Sequence, residues 1–235
     1  MVEDKPLTDI PVALVSRDPF FLFASRGLLG RDRRARILLT ADTLAECRSR
    51  LKSLPGHVDA VVCDLDSTAD QPDFVDDLTE LCADKKMICL ASANLAEHAA
   101  ALCDLPVAAL LCKADLHYTL HLVIAAVTDY PARLITATVK PLLREESLLH
   151  REAHTIGPRR LHPDLSERQE QVVMLRVFVG LDNPDMGDEL QLSDYTIREH
   201  VSMAYKSLAA KNELDVFEAM SDWWWTTRFA RALLG

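Results

Sequence analysis

Short apolar runs alternate with helical patterns along the first half of the chain. The runs are four to six residues long and lack the polar alternation of a half-exposed strand. Helical patterns follow near residues 19–30, 42–53, 72–83, 95–103 and 115–128. Continuous apolar strands joined by helices predict an α/β fold with a five-stranded, doubly wound parallel sheet. The predicted strands are Val12–Val15, Arg36–Leu39, Asp59–Cys63, Met87–Leu90 and Val107–Cys112.

A different pattern occupies residues 165–208, where two short amphipathic helices meet across a turn of three or four residues. Ser193 is the predicted N-cap of the second helix, because its hydroxyl can accept a backbone N–H of the first turn. This layout is typical of a helix-turn-helix in a small all-α domain, whose second helix lies in the DNA major groove. The apolar face of that helix is predicted to be Ile197, Val201, Ala204 and Leu208.

Residues 131–163 are predicted as a partly helical linker, with a helix over residues 135–149 that is interrupted near Pro141. Residues 130–164 carry six bases and four acids, so this is a net-positive section. It fits a solvated linker, or a source of extra phosphate contacts for the helical domain. Its locally basic run contains His150, Arg151, His154, Arg159, Arg160 and His162.

Three consecutive tryptophans, Trp223 to Trp225, stand near the end of the chain. Phe217, Met220 and Trp224 fall near one helical face, which the three tryptophans cannot all share. Large aromatic side chains often anchor interfaces, so an oligomer contact or packing on the N-terminal half is predicted here.

Composition narrows the functional classes. The net charge is −10, the N-terminus is polar and no apolar segment approaches 18 residues, which predicts a cytoplasmic protein without membrane contact. Six scattered cysteines read as buried, reduced thiols. No nucleophile–base pair, glycine-rich phosphate loop or metal-ligand cluster is recognisable, so we predict no enzyme activity, no cofactor and no metal.

Residues 165–208 resemble the LuxR-type helix-turn-helix of NarL/FixJ response regulators. The family's opening L-T-x-R-E-x-E run appears as Leu165 to Glu170 with one slip, and its T-V-K-x-H-V run appears as Thr196 to Val201. Its G-L-S-N turn is matched by Gly180, Leu181 and Asn183. The chain departs from the family at positions that include Gly187, where alanine is usual, and Asp188, where a base is usual.

The resemblance implies that this domain contacts double-stranded DNA. Thr196, Arg198 and His200 are the expected base-contacting residues, with Lys206 and Lys211 on phosphates. Thr196 and His200 also suit an alternative role, in which they hold the helix against its neighbour. The complete set of candidate DNA-binding residues is Asn183, Ser193, Tyr195, Thr196, Arg198, His200, Lys206 and Lys211.

The charge of this domain opposes DNA binding. Residues 165–220 contain eleven acids and five bases. Affinity for DNA rests largely on cations that neutralise phosphates. Such a module must bind weakly, bind as a dimer, borrow charge from elsewhere in the chain, or not bind DNA at all.

Residues 10–130 resemble the receiver domain of response regulators. Asp64, at the end of the third predicted strand, matches the family's phospho-accepting aspartate, and Lys113, after the fifth, matches the lysine that pairs with the phosphate. In the family, Mg²⁺ held by an acidic pair after the first strand supplies further positive charge.

The pocket implied by this resemblance is atypical. The acidic pair is replaced by Ser16 and Arg17, and one carboxylate, Asp18, stands a position late. Arginine there would repel Mg²⁺, so no Mg²⁺ is expected and Asp64 is predicted to pair with Arg17 or Lys113. The alternative is that Asp64 is the phospho-acceptor, as in the family. The family's hydroxyl residue after the fourth strand aligns with Ala91, followed by Ser92, and its aromatic switch residue aligns with Leu110.

These features predict a cytoplasmic bacterial transcription regulator. It comprises an atypical receiver over residues 10–130, a linker over 131–163 and a LuxR-type helix-turn-helix domain over 164–235 that binds DNA as a homodimer. The receiver would act as a dimerisation module, as a docking site for a partner protein, or as a holder of a small anion near Arg17 and Lys113. The alternative function is a protein-interaction module that has lost most DNA affinity and pairs with another regulator.

Overall fold

The computed structural model describes residues 10–31, 35–116, 120–156 and 162–225. The chain divides into two compact units between residues 158 and 159, here called the N-terminal and C-terminal units. Within the described ranges, no helix combines the length and the apolar character that a membrane crossing requires.

A parallel sheet forms the centre of the N-terminal unit. Its seven strands follow the order β2-β1-β3-β4-β5-β6-β7. The strands β1, β3, β4 and β5 are almost entirely buried, which explains why their sequences are apolar without alternation. The strand bounds are β1 Ile10–Val15, β2 Ala35–Ala41, β3 Ala60–Asp64, β4 Lys86–Ala91, β5 Ala109–Cys112, β6 Arg133–Thr136 and β7 Ala153–Ile156.

Helices connect the first five strands, as the sequence predicts. Leu44 and Cys47 of α2, and Leu78 and Leu81 of α4, pack into the core against the sheet. The predicted fifth helix is found as α6 and α7, and residues 117–119 between them lie outside the described ranges. The bounds are α1 Pro19–Arg31, α2 Leu44–Ser53, α3 Leu65–Thr68, α4 Phe74–Cys82, α5 Leu95–Leu102, α6 Lys113–Leu116 and α7 Leu120–Asp129.

The segment predicted as a linker supplies two further strands of this sheet, which corrects the predicted strand count. Leu134 and Ile135 are fully buried in β6, and β6 pairs with β5 and with β7. The expected helix over residues 135–149 is wrong: a 3-10 turn at Lys140–Leu142 and a short helix, α8 Leu148–Glu152, lie between the two strands. A short apolar run gives no periodicity that separates strand from helix. Arg159 and Arg160 of the basic run lie outside the described residues.

Over residues 162–225, the C-terminal unit contains four α-helices. A capping box formed by Ser166 and Gln169 starts α9, which continues as a π-helix over Met174–Val179 and stops at Gly180, where φ is +87°. Val172, Met186 and Ile197 form one buried cluster that joins α9, α10 and α11. The bounds are α9 Glu167–Val173, α10 Asn183–Leu190, α11 Asp194–Ser207 and α12 Glu213–Trp224.

The three tryptophans lie at the end of α12, and the middle one, Trp224, is buried inside the C-terminal unit. Trp224 is fully buried, and its ring centroid lies 5.1 Å from that of Phe178. Phe217 and Met220 are buried on the same face of α12, as predicted. Trp223 and Trp225 are half-buried. The predicted oligomer or N-terminal contact of the tryptophan run stays a prediction.

Candidate functional site

A turn of three residues separates α10 from α11, and both helices are capped at their starts. Asp182 caps α10 by accepting a hydrogen bond from the Asp185 amide at 3.0 Å, and Pro184 lies in the first turn, where a missing N–H costs nothing. Ser193 caps α11, because its Oγ accepts a hydrogen bond from the Thr196 amide at 3.1 Å. The predicted N-cap at Ser193 is confirmed.

The structure explains why position 187 is glycine where the family usually has alanine. A Cβ added at this position would lie 2.9 Å from the carbonyl oxygen of Leu192, a separation that real Cβ atoms essentially never show. The same turn brings the Leu192 amide to 2.9 Å from the Gly187 carbonyl oxygen. The close approach of backbone to backbone therefore requires glycine here, and this outweighs its lower helix propensity.

The predicted apolar face of α11 is confirmed. Ile197 and Ala204 are fully buried, and Val201 and Leu208 are partly buried. The opposite face is open: Tyr195 is 77% exposed, and the Arg198 side chain is 68% exposed. Among the other candidate DNA-binding residues, Ser193, Lys206 and Lys211 are exposed, whereas Asn183, Thr196 and His200 are half-buried.

Acidic neighbours engage part of the basic charge on this surface. Arg198 Nη2 lies 2.6 Å from Asp194 Oδ2, one helical turn earlier. Arg176 Nε likewise lies 2.8 Å from Glu213 Oε1. Exposed ion pairs of this kind exchange with solvent at little cost, so Asp194 weakens the attraction of Arg198 for phosphate without removing it.

Asp64 stands at the end of β3, where its side chain is 1% exposed. Its Oδ1 accepts hydrogen bonds from Lys113 Nζ at 2.6 Å and from the Asp66 amide at 3.2 Å. Its Oδ2 accepts a hydrogen bond from Ser16 Oγ at 2.9 Å and another from Ser67 Oγ at 3.3 Å. Four donors therefore occupy this carboxylate, which stabilises its charge and reduces its capacity to act as a nucleophile.

Asp66 provides a second carboxylate at the same edge of the sheet. It accepts hydrogen bonds from Lys113 Nζ at 2.8 Å, from the Ser92 amide at 2.9 Å and from the Ala93 amide at 3.0 Å. Burial disfavours its ionisation, but the hydrogen bonds from Lys113 and Ser92 outweigh burial and hold the pKa of Asp66 below its usual value. One ammonium group thus links two carboxylates.

Arg17 does not pair with Asp64, which corrects one of the two predicted partners. Its Nη1 lies 3.9 Å from Asp70 Oδ1, and both side chains are largely exposed. The other predicted partner, Lys113, is confirmed. Asp18 is used locally, because its Oδ1 accepts a hydrogen bond from the Phe20 amide at the start of α1.

The pocket residues do not suit Mg²⁺. Ser16 stands in place of an acid and donates its hydroxyl to Asp64, and Asp18 is engaged at the start of α1. Lys113 takes oxygens of both Asp64 and Asp66, whereas Mg²⁺ demands a near-octahedral set of oxygen ligands. Among the described residues, no group of three or more His, Cys, Asp or Glu side chains is arranged to hold a metal ion.

Two further candidates lie in the core of the N-terminal unit. Ala91 ends β4 and Leu110 lies in β5, and both are fully buried. Neither side chain can supply the hydroxyl or the aromatic ring that the family pattern has there. Ser92 takes part through its backbone amide, not through its side chain as the family pattern implies. The pocket also uses Asp66 and Ser67, which the sequence reasoning missed.

All six cysteines are free. Five are buried, and Cys82 is half-buried. Burial raises the pKa of Cys47, Cys63 and Cys82 to about 12. These thiols stay protonated at neutral pH and serve as apolar core groups.

Comparison with known proteins identifies similarity in fold. No protein-family model and no curated protein matches the chain. The structure of the RcsB response regulator of Salmonella typhimurium is similar over 91% of this chain and 100% of that chain, with 18% identity and a TM-score of 0.51. A structure of two RcsB dimers bound to two parallel DNAs covers 91% of this chain and 98% of that chain, with 18% identity and a TM-score of 0.50. These similarities confirm the predicted α/β unit followed by a helical unit.

Proposed function

We propose that this protein is a transcription regulator of the NarL/FixJ type that binds double-stranded DNA through α11. The observation that carries this proposal is the capped α10–turn–α11 arrangement, which buries Ile197 and Ala204 and leaves Tyr195 and Arg198 exposed. A helix that is anchored along one face and polar along the other is what insertion into a major groove requires. The fold shared with RcsB, which has been seen as dimers on DNA, supports the proposal.

The candidate residues then fall into two roles. Tyr195, Thr196 and Arg198 lie in the first turns of α11, the part of a recognition helix that contacts base edges. Lys206 and Lys211 are exposed beyond them and suit phosphate contacts, which fix position but carry no sequence information. His200 and Thr196 are half-buried, which also suits the alternative role of holding α11 against its neighbours.

A homodimer accommodates the acidic surroundings of α11. One C-terminal unit has few cations to neutralise phosphates, so a single copy should bind DNA weakly. Two linked copies bind with far higher avidity, because the second contact becomes intramolecular. We therefore place dimerisation in the mechanism, with DNA half-sites about one helical turn apart.

Arg198→Ala should weaken DNA binding by about tenfold or more, since a good contact from arginine to a base is worth about 1–3 kcal/mol. The domain should stay folded, because the side chain is exposed and its ion pair with Asp194 contributes little stability. The measurement is a fluorescence anisotropy titration with DNA fragments selected by the wild-type protein.

Arg168→Ala is the matched control for Arg198→Ala. Arg168 is an exposed arginine on α9, so its removal changes the net charge equally. A similar loss of affinity in both variants would reduce the role of Arg198 to general electrostatics. An unchanged affinity in Arg198→Ala would contradict the proposed orientation of α11 on DNA.

We also propose that the receiver works without Mg²⁺-dependent phosphorylation. The saturated hydrogen bonding of Asp64 and the absence of a suitable set of Mg²⁺ ligands around it support this. Incubation with a small phosphodonor and Mg²⁺ should therefore leave the intact mass unchanged, with Asp64→Asn as the control for modification at other sites. An added phosphate that disappears in Asp64→Asn would overturn this part of the proposal.

The alternative function is a protein-interaction module that pairs with another regulator. The pairing of Arg198 with Asp194 and the acid excess of the C-terminal unit favour it. Salt dependence separates the two functions. DNA binding must weaken steeply as salt rises, in proportion to the number of phosphates neutralised, whereas a largely apolar protein contact need not.

A further inference from the structure

Three donors converge on one point beside the carboxyl end of the sheet. They are the ammonium of Lys113 and the consecutive backbone amides of Ser92 and Ala93, all within 3.0 Å of oxygens of Asp66. Successive amides in a loop form a concavity that binds anions, and an adjacent ammonium strengthens it. The loop is tightly shaped, since Asn94, which follows the two amides, has a left-handed φ of +47°.

The occupant of this concavity is a carboxylate of the chain itself. Asp66 is the second residue after Asp64, and the short helix α3 turns its side chain toward the loop that follows β4. A carboxylate held by its own backbone binds at a high effective concentration, so a dissolved anion competes with it poorly. A second anion at this point would also meet the charges of Asp64 and Asp66 with one ammonium among them.

We propose that Asp66 is a built-in ligand of an oxyanion pocket formed by Lys113, Ser92 and Ala93, and that it holds the loop after β4 permanently in an anion-bound conformation. The ligand that the emptied pocket would take is a small tetrahedral oxyanion, such as inorganic phosphate or sulfate. This inference deepens the proposed function and partly rests on it, because a filled pocket makes a receiver insensitive to phosphate.

Removal of the Asp66 carboxylate should convert the pocket into a binding site for dissolved anions. In Asp66→Ala, the amides of Ser92 and Ala93 lose their acceptor, and Lys113 keeps Asp64 as its partner. An oxyanion can then accept from both amides and from Lys113. We expect inorganic phosphate to bind Asp66→Ala at least about tenfold more tightly than the wild-type chain. A tenfold change in Kd is about what one modest electrostatic interaction contributes.

The test is a titration of the isotopically labelled full-length protein with inorganic phosphate and, separately, sulfate, followed by NMR. The Ser92 and Ala93 amide resonances should move saturably in Asp66→Ala and show no saturable movement in the wild type. Asp66→Ala combined with Lys113→Met should lose the saturation, because the pocket then has no cation. Asp66→Asn, which keeps one oxygen but no charge, should bind phosphate with intermediate affinity and serves if the alanine variant does not fold.

Equal saturation in the wild type and in Asp66→Ala would overturn the proposal, and so would folded alanine and asparagine variants that both ignore phosphate. Saturation that survives the additional Lys113→Met change would show that the anion binds elsewhere, which also overturns it. DNA is not present in this experiment. Failure here therefore leaves the proposed function of α11 intact, and a loss of DNA binding by Arg198→Ala leaves the Asp66 inference intact.

Discussion

Lys113→Met should destabilise the N-terminal unit by about 2–4 kcal/mol, slightly less than the roughly 3–5 kcal/mol for removal of one member of a fully buried ion pair. The expected loss is smaller because the ion pair is not fully buried: the Lys113 side chain is 24% exposed, although that of Asp64 is only 1% exposed. The variant leaves Asp64 and Asp66 as neighbouring carboxylates without a cation. Methionine retains most of the stem volume, so the loss reports charge and not packing. Urea-induced unfolding followed by circular dichroism measures it.

A second change separates the charge of Asp64 from its hydrogen bonds. Asp64→Asn in the Lys113→Met background should recover at least about 1 kcal/mol, because it removes the buried charge that has lost its partner. Tryptophan fluorescence provides an internal control, since all three tryptophans belong to the C-terminal unit. If Lys113→Met left the unfolding free energy unchanged, Lys113 would not be the partner that stabilises Asp64.

Two pKa shifts determine how the stability difference between the wild type and Lys113→Met depends on pH. Burial opposes the charge of Lys113, but hydrogen bonds and charges of Asp64 and Asp66 outweigh it and raise the pKa of Lys113 above 10.5. The pKa of Asp66 is lowered below 3.8. Stability from Lys113 is therefore present below pH 10.5 and lost as pH rises through its raised pKa. Stability from Asp66 is present above pH 3.8 and lost as pH falls through its lowered pKa. The cost of Lys113→Met should accordingly be constant near neutral pH and shrink in acid.

Sequence pattern was sufficient for the strands that lie in the centre of the sheet. β1, β3, β4 and β5 are buried on both faces, so each leaves a continuous apolar run that few other structures produce. β6 and β7 are four residues each, and β7 has the exposed His154 among its residues. Their membership of the sheet depends on the pairing of β6 with β5 and of β7 with β6, tertiary contacts that no local pattern encodes.

In the candidate pocket, too, sequence predicted some of the contacts and not others. The ends of parallel strands meet at one edge, which is why Asp64 and Lys113 could be placed together from sequence. The direction of a side chain in a loop cannot be obtained in this way. Sequence therefore left Arg17 and Lys113 as alternative partners of Asp64, whereas Arg17 lies near Asp70 and Lys113 binds both Asp64 and Asp66.

A larger loss should follow from Trp224→Ala. Trp224 is fully buried against Phe178, whose ring also packs on that of Phe217, and truncation of a buried tryptophan costs about 3–5 kcal/mol. Such a loss is a large share of the stability of a small domain, so the C-terminal unit should be partly unfolded at moderate temperature. Thermal unfolding monitored by the fluorescence of the remaining tryptophans measures the change.

Two matched variants identify the origin of that loss. Trp224→Phe should cost clearly less than Trp224→Ala, because phenylalanine fills most of the space and removes an indole N–H that is buried without a hydrogen-bond partner among the described residues. Trp225→Ala removes the same atoms from a half-buried position and should also cost less. Equal destabilisation by Trp224→Ala and Trp225→Ala would contradict the assignment of the loss to the burial of Trp224 in this core.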